Sequence, residues 1–248
     1  MTGVLCRVVA GLWAWIGEAG GIRVQCAEVL EMLESLCDPQ AVAAMTGYGI
    51  NADNAFGIPL PRLRKIAKEI GKDHALSEQL WSSGIHEARI MASMIADPRM
   101  VTEQDLERWV TDFDSWDVCD QCCNNLFRKT KFAYQKAMQW CLRREEFVKR
   151  AGFVLMACLA VHDKGADDIA FRQFFPVIKS QAADERNFVK KSVNWALRQI
   201  GKRNRAMNAE AIDVATDLSR IESKAARWIA CDALRELRSN KIQKRLAD

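Results

Sequence analysis

Long apolar runs are missing from this sequence. The most hydrophobic stretch near its start, Val8 to Ile16, is interrupted by Gly11 and preceded by Arg7, and it is too short to span a bilayer. A secretory leader would need a longer apolar run and a small-residue cleavage site, and with the cysteine usage behind it export is not expected. Proline and glycine are scarce, five and thirteen in 248 residues, and no stretch of them reads as a linker between two cores. Period-two alternation of apolar and polar residues is hard to find, which speaks against a sheet-based architecture. The three histidines, His74, His86 and His162, have no partner motif, and neither a glycine-rich phosphate loop nor a nucleophile elbow occurs. His86 stands beside Glu87, but neighbouring helical positions point about 100° apart, so a local hydrogen bond at a helix start fits better than an acid–base pair. The nine cysteines are irregularly spaced. Most, including Cys119, Cys122, Cys123, Cys141, Cys158 and Cys231, fall inside apolar helical patterns and read as reduced thiols of a cytosolic chain. Cys119 and Cys122 form a Cys-x-x-Cys pair, but no second pair follows to complete a zinc site, and the strand-to-helix turn of redox motifs is absent. No metal is expected. A net charge of +4, from 36 basic and 32 acidic residues, decides nothing until its distribution is known.

What is present is the spacing of amphipathic helices, segment after segment. Periodicity and caps predict helices over about 24–36, 39–46, 59–71, 75–82, 84–96, 102–112, 115–127, 131–142, 144–160, 166–180, 184–201, 207–218 and 222–237. Pro39 and Pro59 stand near helix starts, Pro98 follows a helix end, and Thr102 with Asp105 has the spacing of a capping box. The chain is expected to be all-α, with residues 24–248 forming one repeat domain and residues 1–23 an N-terminal extension, an extra helix or disordered. A weak repeat supports this. Helices that open on Arg89, Arg150, Lys191 and Arg227, with Asp120 in the gap between the first two, recur at steps of about 31, 30, 41 and 36 residues, the range of helical repeats. In a curved α-solenoid one register position converges on the concave face, which here would form a basic cleft around Asp120.

Around these positions stand further cations: Lys149, Lys190, Arg198, Lys202 and Arg203. Lys and Arg along a concavity would neutralise successive phosphates, the main source of sequence-independent DNA affinity. Equally, charges at helix ends serve as solvated faces or dipole partners. Asp120 lies four residues after Trp116, so ring and carboxylate share a helix face, and Trp195 takes the corresponding place four residues after Lys191. With Arg150, these residues suit glycosidic cleavage. A carboxylate stabilises oxocarbenium charge or positions a water, indole faces contact a cationic nucleotide, and a guanidinium holds a phosphate. Taken singly, a helical Trp more often serves a core and a helical Asp a cap or solvated face.

At these residues the sequence resembles the DNA alkylation repair family, the AlkD-like glycosylases built from HEAT-like repeats. The resemblance is carried by Phe113-Asp114-Ser115-Trp116-Asp117-Val118-Cys119-Asp120, by Glu146-Phe147-Val148-Lys149-Arg150-Ala151, and most specifically by Asn187 through Gln199. Gly57-Ile58-Pro59-Leu60-Pro61-Arg62 joins them, so the likeness spans roughly residues 28–240. The resemblance implies hydrolysis of the N-glycosidic bond of positively charged alkylpurines, such as N3-methyladenine and N7-methylguanine, in double-stranded DNA. It implies Asp120 as catalytic aspartate, Trp116 and Trp195 against the lesion's deoxyribose, and Arg150 in the cleft. Arg89, Lys149, Lys190, Lys191, Arg198, Lys202, Arg203 and Arg227 are the expected DNA contacts. Water is the co-substrate; no cofactor, membrane or obligate protein partner is expected, and the expected location is the cytoplasm, associated with the nucleoid. The rival expectation is a non-catalytic HEAT-like module that binds DNA structure or a protein; it needs the basic register but not Asp120.

Overall fold

The computed structural model describes residues 24–247, and the expectation for residues 1–23 lies outside them. Every regular element among the described residues is helical, and none of these helices is long and apolar enough to cross a membrane. Two compact units divide between Val101 and Thr102.

The first unit holds α1 (Cys26–Ser35), α2 (Pro39–Met45), a 3-10 turn at Thr46–Tyr48, α3 (Leu60–Ile70), α4 (His74–Ser82) and α5 (His86–Ile95). Asp38 caps α2, its carboxylate accepting from the amides of Gln40 and Ala41, while Pro39 fills the first turn, where its missing N–H leaves nothing unsatisfied. α5 is the inner helix of this unit and packs on α1, α3 and α4, burying Ala88, Met91, Ala92 and Ile95. Glu87, in its first turn, is buried too. Its carboxylate accepts from the amides of Phe56 at 2.9 Å, Gly57 at 2.7 Å and Ile58 at 3.2 Å, tying down the loop ahead of α3. Gly57 is required there twice over: its φ is +73°, and a Cβ would lie 2.7 Å from the Asp38 carbonyl oxygen. His86 continues the same seam, its backbone amide donating to the Asn54 carbonyl.

The second unit holds α6 (Glu103–Thr111), α7 (Trp116–Asn125), a 3-10 turn at Phe127–Lys129, α8 (Ala133–Trp140), α9 (Glu146–His162), α10 (Ile169–Arg172), α11 (Phe174–Gln181), α12 (Asn187–Ile200), α13 (Arg205–Leu218), α14 (Lys224–Leu237) and α15 (Asn240–Arg245). The Thr102–Asp105 capping box is formed. α9 is apolar nearly all round, as a helix with neighbours on every side must be, and is buried without a break from Val148 to Ala160. It packs against α6, α7, α8 and α12. Gly152 permits the closest of these approaches, because a Cβ would lie 2.4 Å from the Cys141 amide nitrogen. Trp109, Phe113, Phe127 and Trp140 fill the space beneath α6 and α8, with ring centroids 5.6 to 6.3 Å apart.

The predicted helices are present with boundaries moved by a few residues, except that the one over 166–180 is two. Pro176 has no N–H to return to the Arg172 carbonyl and its ring crowds that carbonyl, so the helix breaks at Gln173. The short α15 has no counterpart in the predicted helices. The repeat step is also sharper than the sequence suggests. Polar contacts pair residues 38 apart through the later repeats: Arg172 with Glu210, Lys179 with Asp217, Glu185 with Ser223 and Asn194 with Asp232. Between α7 and α9 the step is shorter, 28 residues from Cys119 to Phe147 and from Cys123 to Ala151.

Candidate functional site

Three of the four residues expected to form the reaction centre meet directly. Asp120 is on the second turn of α7 and Arg150 on the first turns of α9, the two helices packed side by side. Arg150 Nε donates to Asp120 Oδ1 at 2.9 Å and its Nη2 to Oδ2 at 2.8 Å, a two-pronged ion pair. Its Nη1 donates to the Phe188 carbonyl on α12 at 2.7 Å. The guanidinium lies 6.0 Å from the centre of the Trp116 ring, one turn before Asp120. Trp195 sits half-buried on α12, two turns beyond Phe188, and shares that helix with the carbonyl that holds Arg150.

In place of the expected phosphate contact, then, Arg150 uses its fork on Asp120. With 7% of its side chain exposed it has little access to a DNA backbone, whereas Asp120 keeps 16%. Burial pushes the Asp120 carboxyl upward, the charge and hydrogen bonds of Arg150 pull it back, and nearby Asp117 pushes up again; the net direction is up. Burial alone would lower Arg150, but Asp120 more than offsets this and holds the guanidinium charged. Two oxygens that both accept from a guanidinium are those of a carboxylate, so the cluster holds a fixed, partly compensated negative charge. Beneath it lie buried thiols: Cys119 Sγ donates to the Phe147 carbonyl and Cys123 Sγ to the Ala151 carbonyl, each at 3.7 Å. Burial pushes Cys123 well up and Cys158 to about 12, which keeps both protonated and unreactive.

The expected DNA-contacting cations divide into two groups. Arg203 donates to the carbonyls of Ala160, Asp163 and Ala166 at 2.8 to 3.1 Å and lies 3.7 Å from the Phe171 ring centre, so it ties helix ends together. Arg198 pairs with Asp232 at 2.8 Å and Glu236 at 3.0 Å, and Lys202 with Glu236 at 2.9 Å. Lys149 is buried, with Gln181 at 2.8 Å and Asp184 at 3.2 Å. For these four the structure supplies a partner within the chain: carboxylates for Lys149, Arg198 and Lys202, and main-chain carbonyls for Arg203. Arg89, in the first unit, lies 5.4 Å from the Trp81 ring centre. Lys190, on α12, has its Nζ 5.2 Å from the Trp228 ring centre, and Lys191 and Arg227 are exposed. Sequence reasoning passed over Asp232, Glu236 and Trp228. Their signal was the four-residue rhythm of Lys190, Asn194, Arg198 and Lys202, matched 38 positions later by Trp228, Asp232 and Glu236.

Asp184 gives this region a pH dependence. Hydrogen bonds from Arg186, opposed by burial and joined by one from Lys149, hold its carboxyl at about 2, against an ordinary value of 3.8. A carboxyl depressed by folding stabilises above its unfolded value and loses that contribution as pH falls through the folded one. Asp184→Asn is therefore expected to cost on the order of 1 kcal/mol at neutral pH, allowing for solvent screening, and to flatten the loss of stability between about pH 4 and 2. Urea unfolding across that range measures both; a variant as acid-sensitive as the native chain would count against the assignment.

An all-α repeat protein with a buried carboxylate–guanidinium pair beside an indole is thus defined by the fold and its cluster. The family model described as DNA alkylation repair enzyme matches residues 29–237, and the chain belongs to that family. No curated protein matches it significantly. Among solved structures, one is described as a new family of proteins related to the HEAT-like repeat DNA glycosylases with affinity for branched DNA structures. It aligns with a TM-score of 0.72 at 20% identity, over 86% of this chain and 95% of that one. That likeness establishes the HEAT-like α-solenoid fold. A designed armadillo repeat protein in complex with a (KR)4 peptide aligns over 84% of this chain and 96% of its own, at 13% identity and a TM-score of 0.33, too low to carry an argument.

Proposed function

We propose that this protein is a monofunctional DNA glycosylase that removes positively charged alkylated purines from double-stranded DNA. The observation that carries the proposal is the Trp116–Asp120–Arg150 cluster, in which a carboxylate is fixed by two guanidinium hydrogen bonds and keeps an edge toward solvent. A cationic N3-methyladenine or N7-methylguanine leaves with little need of protonation, so the chemistry asks for a fixed negative charge near C1′ as the sugar becomes oxocarbenium-like, and for a water. Asp120 supplies the charge without having to reorganise. Trp116 and Trp195 offer apolar faces to the deoxyribose, and Lys190, Lys191 and Arg227 are the cations best placed for phosphates.

The completeness of the ion pair favours a second reading, a module that binds DNA structure without chemistry, because both oxygens of Asp120 already accept hydrogen bonds. The affinity of the solved relative's family for branched DNA points the same way.

Single-turnover release of N7-methylguanine from a defined duplex separates the two readings, comparing native protein with Asp120→Asn at equal salt and below the melting range of both. The glycosylase predicts at least a hundredfold loss of release, the order of effect of removing one electrostatic stabiliser, with DNA affinity retained. No release by the native protein despite salt-sensitive binding selects the second reading.

A further inference from the structure

α12 and α14 run side by side as a ladder. On α12 the rungs are Lys190, Asn194 and Arg198; on α14 their partners are Trp228, Asp232 and Glu236, each 38 residues later. Lys202 adds a second cation to Glu236. The lower rungs end on a carboxylate and are electrostatically closed. The first rung ends on an indole, which contacts the Lys190 ammonium but does not neutralise it. Trp228 keeps 41% of its surface exposed, unusual for the largest apolar side chain. It belongs to the exposed stripe of α14 that carries Lys224 and Arg227, and Lys191 is exposed next to Lys190. Glu185 lies within electrostatic reach of Lys190 and Lys224, and its carboxylate accepts from the Ser223 hydroxyl and the Ala225 amide. Lys190 therefore lies against a solvent-facing ring, and Lys191, Lys224 and Arg227 are exposed close by in sequence on the same two helices.

We propose that Trp228, backed by Lys190, is a stacking platform for an unpaired base of DNA, with Lys191, Lys224 and Arg227 on the flanking phosphates. This rests on the DNA-binding part of the proposed function and names the preferred ligand: duplex DNA interrupted by a gap or bulge. An exposed ring in contact with one cation, on helices that carry further exposed cations, fits such a ligand because every base has a π-face to stack and every nucleotide a phosphate to neutralise, whereas the paired bases of an intact duplex keep their faces inside the stack.

Fluorescence anisotropy of the full chain with a gapped duplex and an intact one of equal length tests this at fixed salt. Trp228→Ala is expected to weaken binding to the gapped duplex about tenfold and to leave the intact one nearly unchanged, with Trp228→Phe restoring most of the loss. Lys191→Gln is expected to weaken both and to lower the salt slope by about one. Equal affinities of native and Trp228→Ala for the gapped duplex, equal losses on both DNAs, or no binding of gapped DNA by the native chain each overturn the proposal. Should Trp228→Ala melt early, the emission that native protein has and Trp228→Phe lacks is the readout; it is expected to be quenched by the gapped duplex, and an unchanged signal rejects the platform. Base release fails separately: no release with the Trp228 discrimination intact rejects the glycosylase alone, and release without a Trp228 effect rejects the platform alone.

Discussion

Arg150→Ala is expected to cost the fold about 3–5 kcal/mol, the loss typical when one member of a buried ion pair is removed. The substitution strips Asp120 of both its guanidinium hydrogen bonds and the Phe188 carbonyl of its side-chain donor. The carboxylate left behind is largely shielded from water, so hydration does not make up the loss. Adding Asp120→Ala to Arg150→Ala removes the stranded charge, and the double variant is expected to be more stable than the sum of the single losses by on the order of 2 kcal/mol. Losses that simply add in urea unfolding would show the pair to be incidental. The pH dependence has a definite sign. Burial already pushes the Asp120 carboxyl up, and without Arg150 nothing of comparable strength pulls it back. A carboxyl raised by folding favours the native state at low pH and loses that contribution as pH rises through the folded value, so the deficit of Arg150→Ala is expected to shrink on acidification. Asp120→Asn, the activity probe, has a structural cost for the same reason, because it leaves a buried guanidinium uncompensated.

Glu87→Ala is expected to cost about 3 kcal/mol or more, since three amides shielded by the loop lose a charged acceptor at once. No other acceptor takes over without moving the loop, and the loop cannot move freely, because Gly57 is pressed against the start of α2. Glu87→Gln retains an acceptor oxygen and is expected to recover part of the loss. Hydrogen exchange locates the effect: the amides of Phe56, Gly57 and Ile58 are expected to lose protection, while those of α9 in the second unit keep theirs. Uniformly faster exchange in both units would show that Glu87 supports more than this loop.

Both predictions concern residues whose chemistry was only half legible in the sequence. The spacing of Trp116 and Asp120 placed them on one face of a helix, and the resemblance added Arg150, but the direction of the Arg150 fork followed from neither. Glu87 was read beside His86 and set aside as an acid–base partner, yet its role as a loop anchor lay with amides about 30 residues earlier in the chain. Lys149, Arg198 and Lys202 show the limit most plainly. A cation on a helix reads the same in sequence whether it faces a phosphate or a carboxylate on the next repeat.

The sequence by itself determined the helices, their caps, the repeat and the family, because these follow from local spacing, from the residue types at helix ends and from motifs a few residues long. It even held the cause of the break at Gln173, since Pro176 cannot return a hydrogen bond to Arg172. Only the tertiary structure decided which charges are already answered inside the protein. Electrostatic pairing acts through space between side chains 30 to 38 residues apart, and a shift of one residue along a helix, about 100° of rotation, is enough to turn a phosphate contact into an internal ion pair.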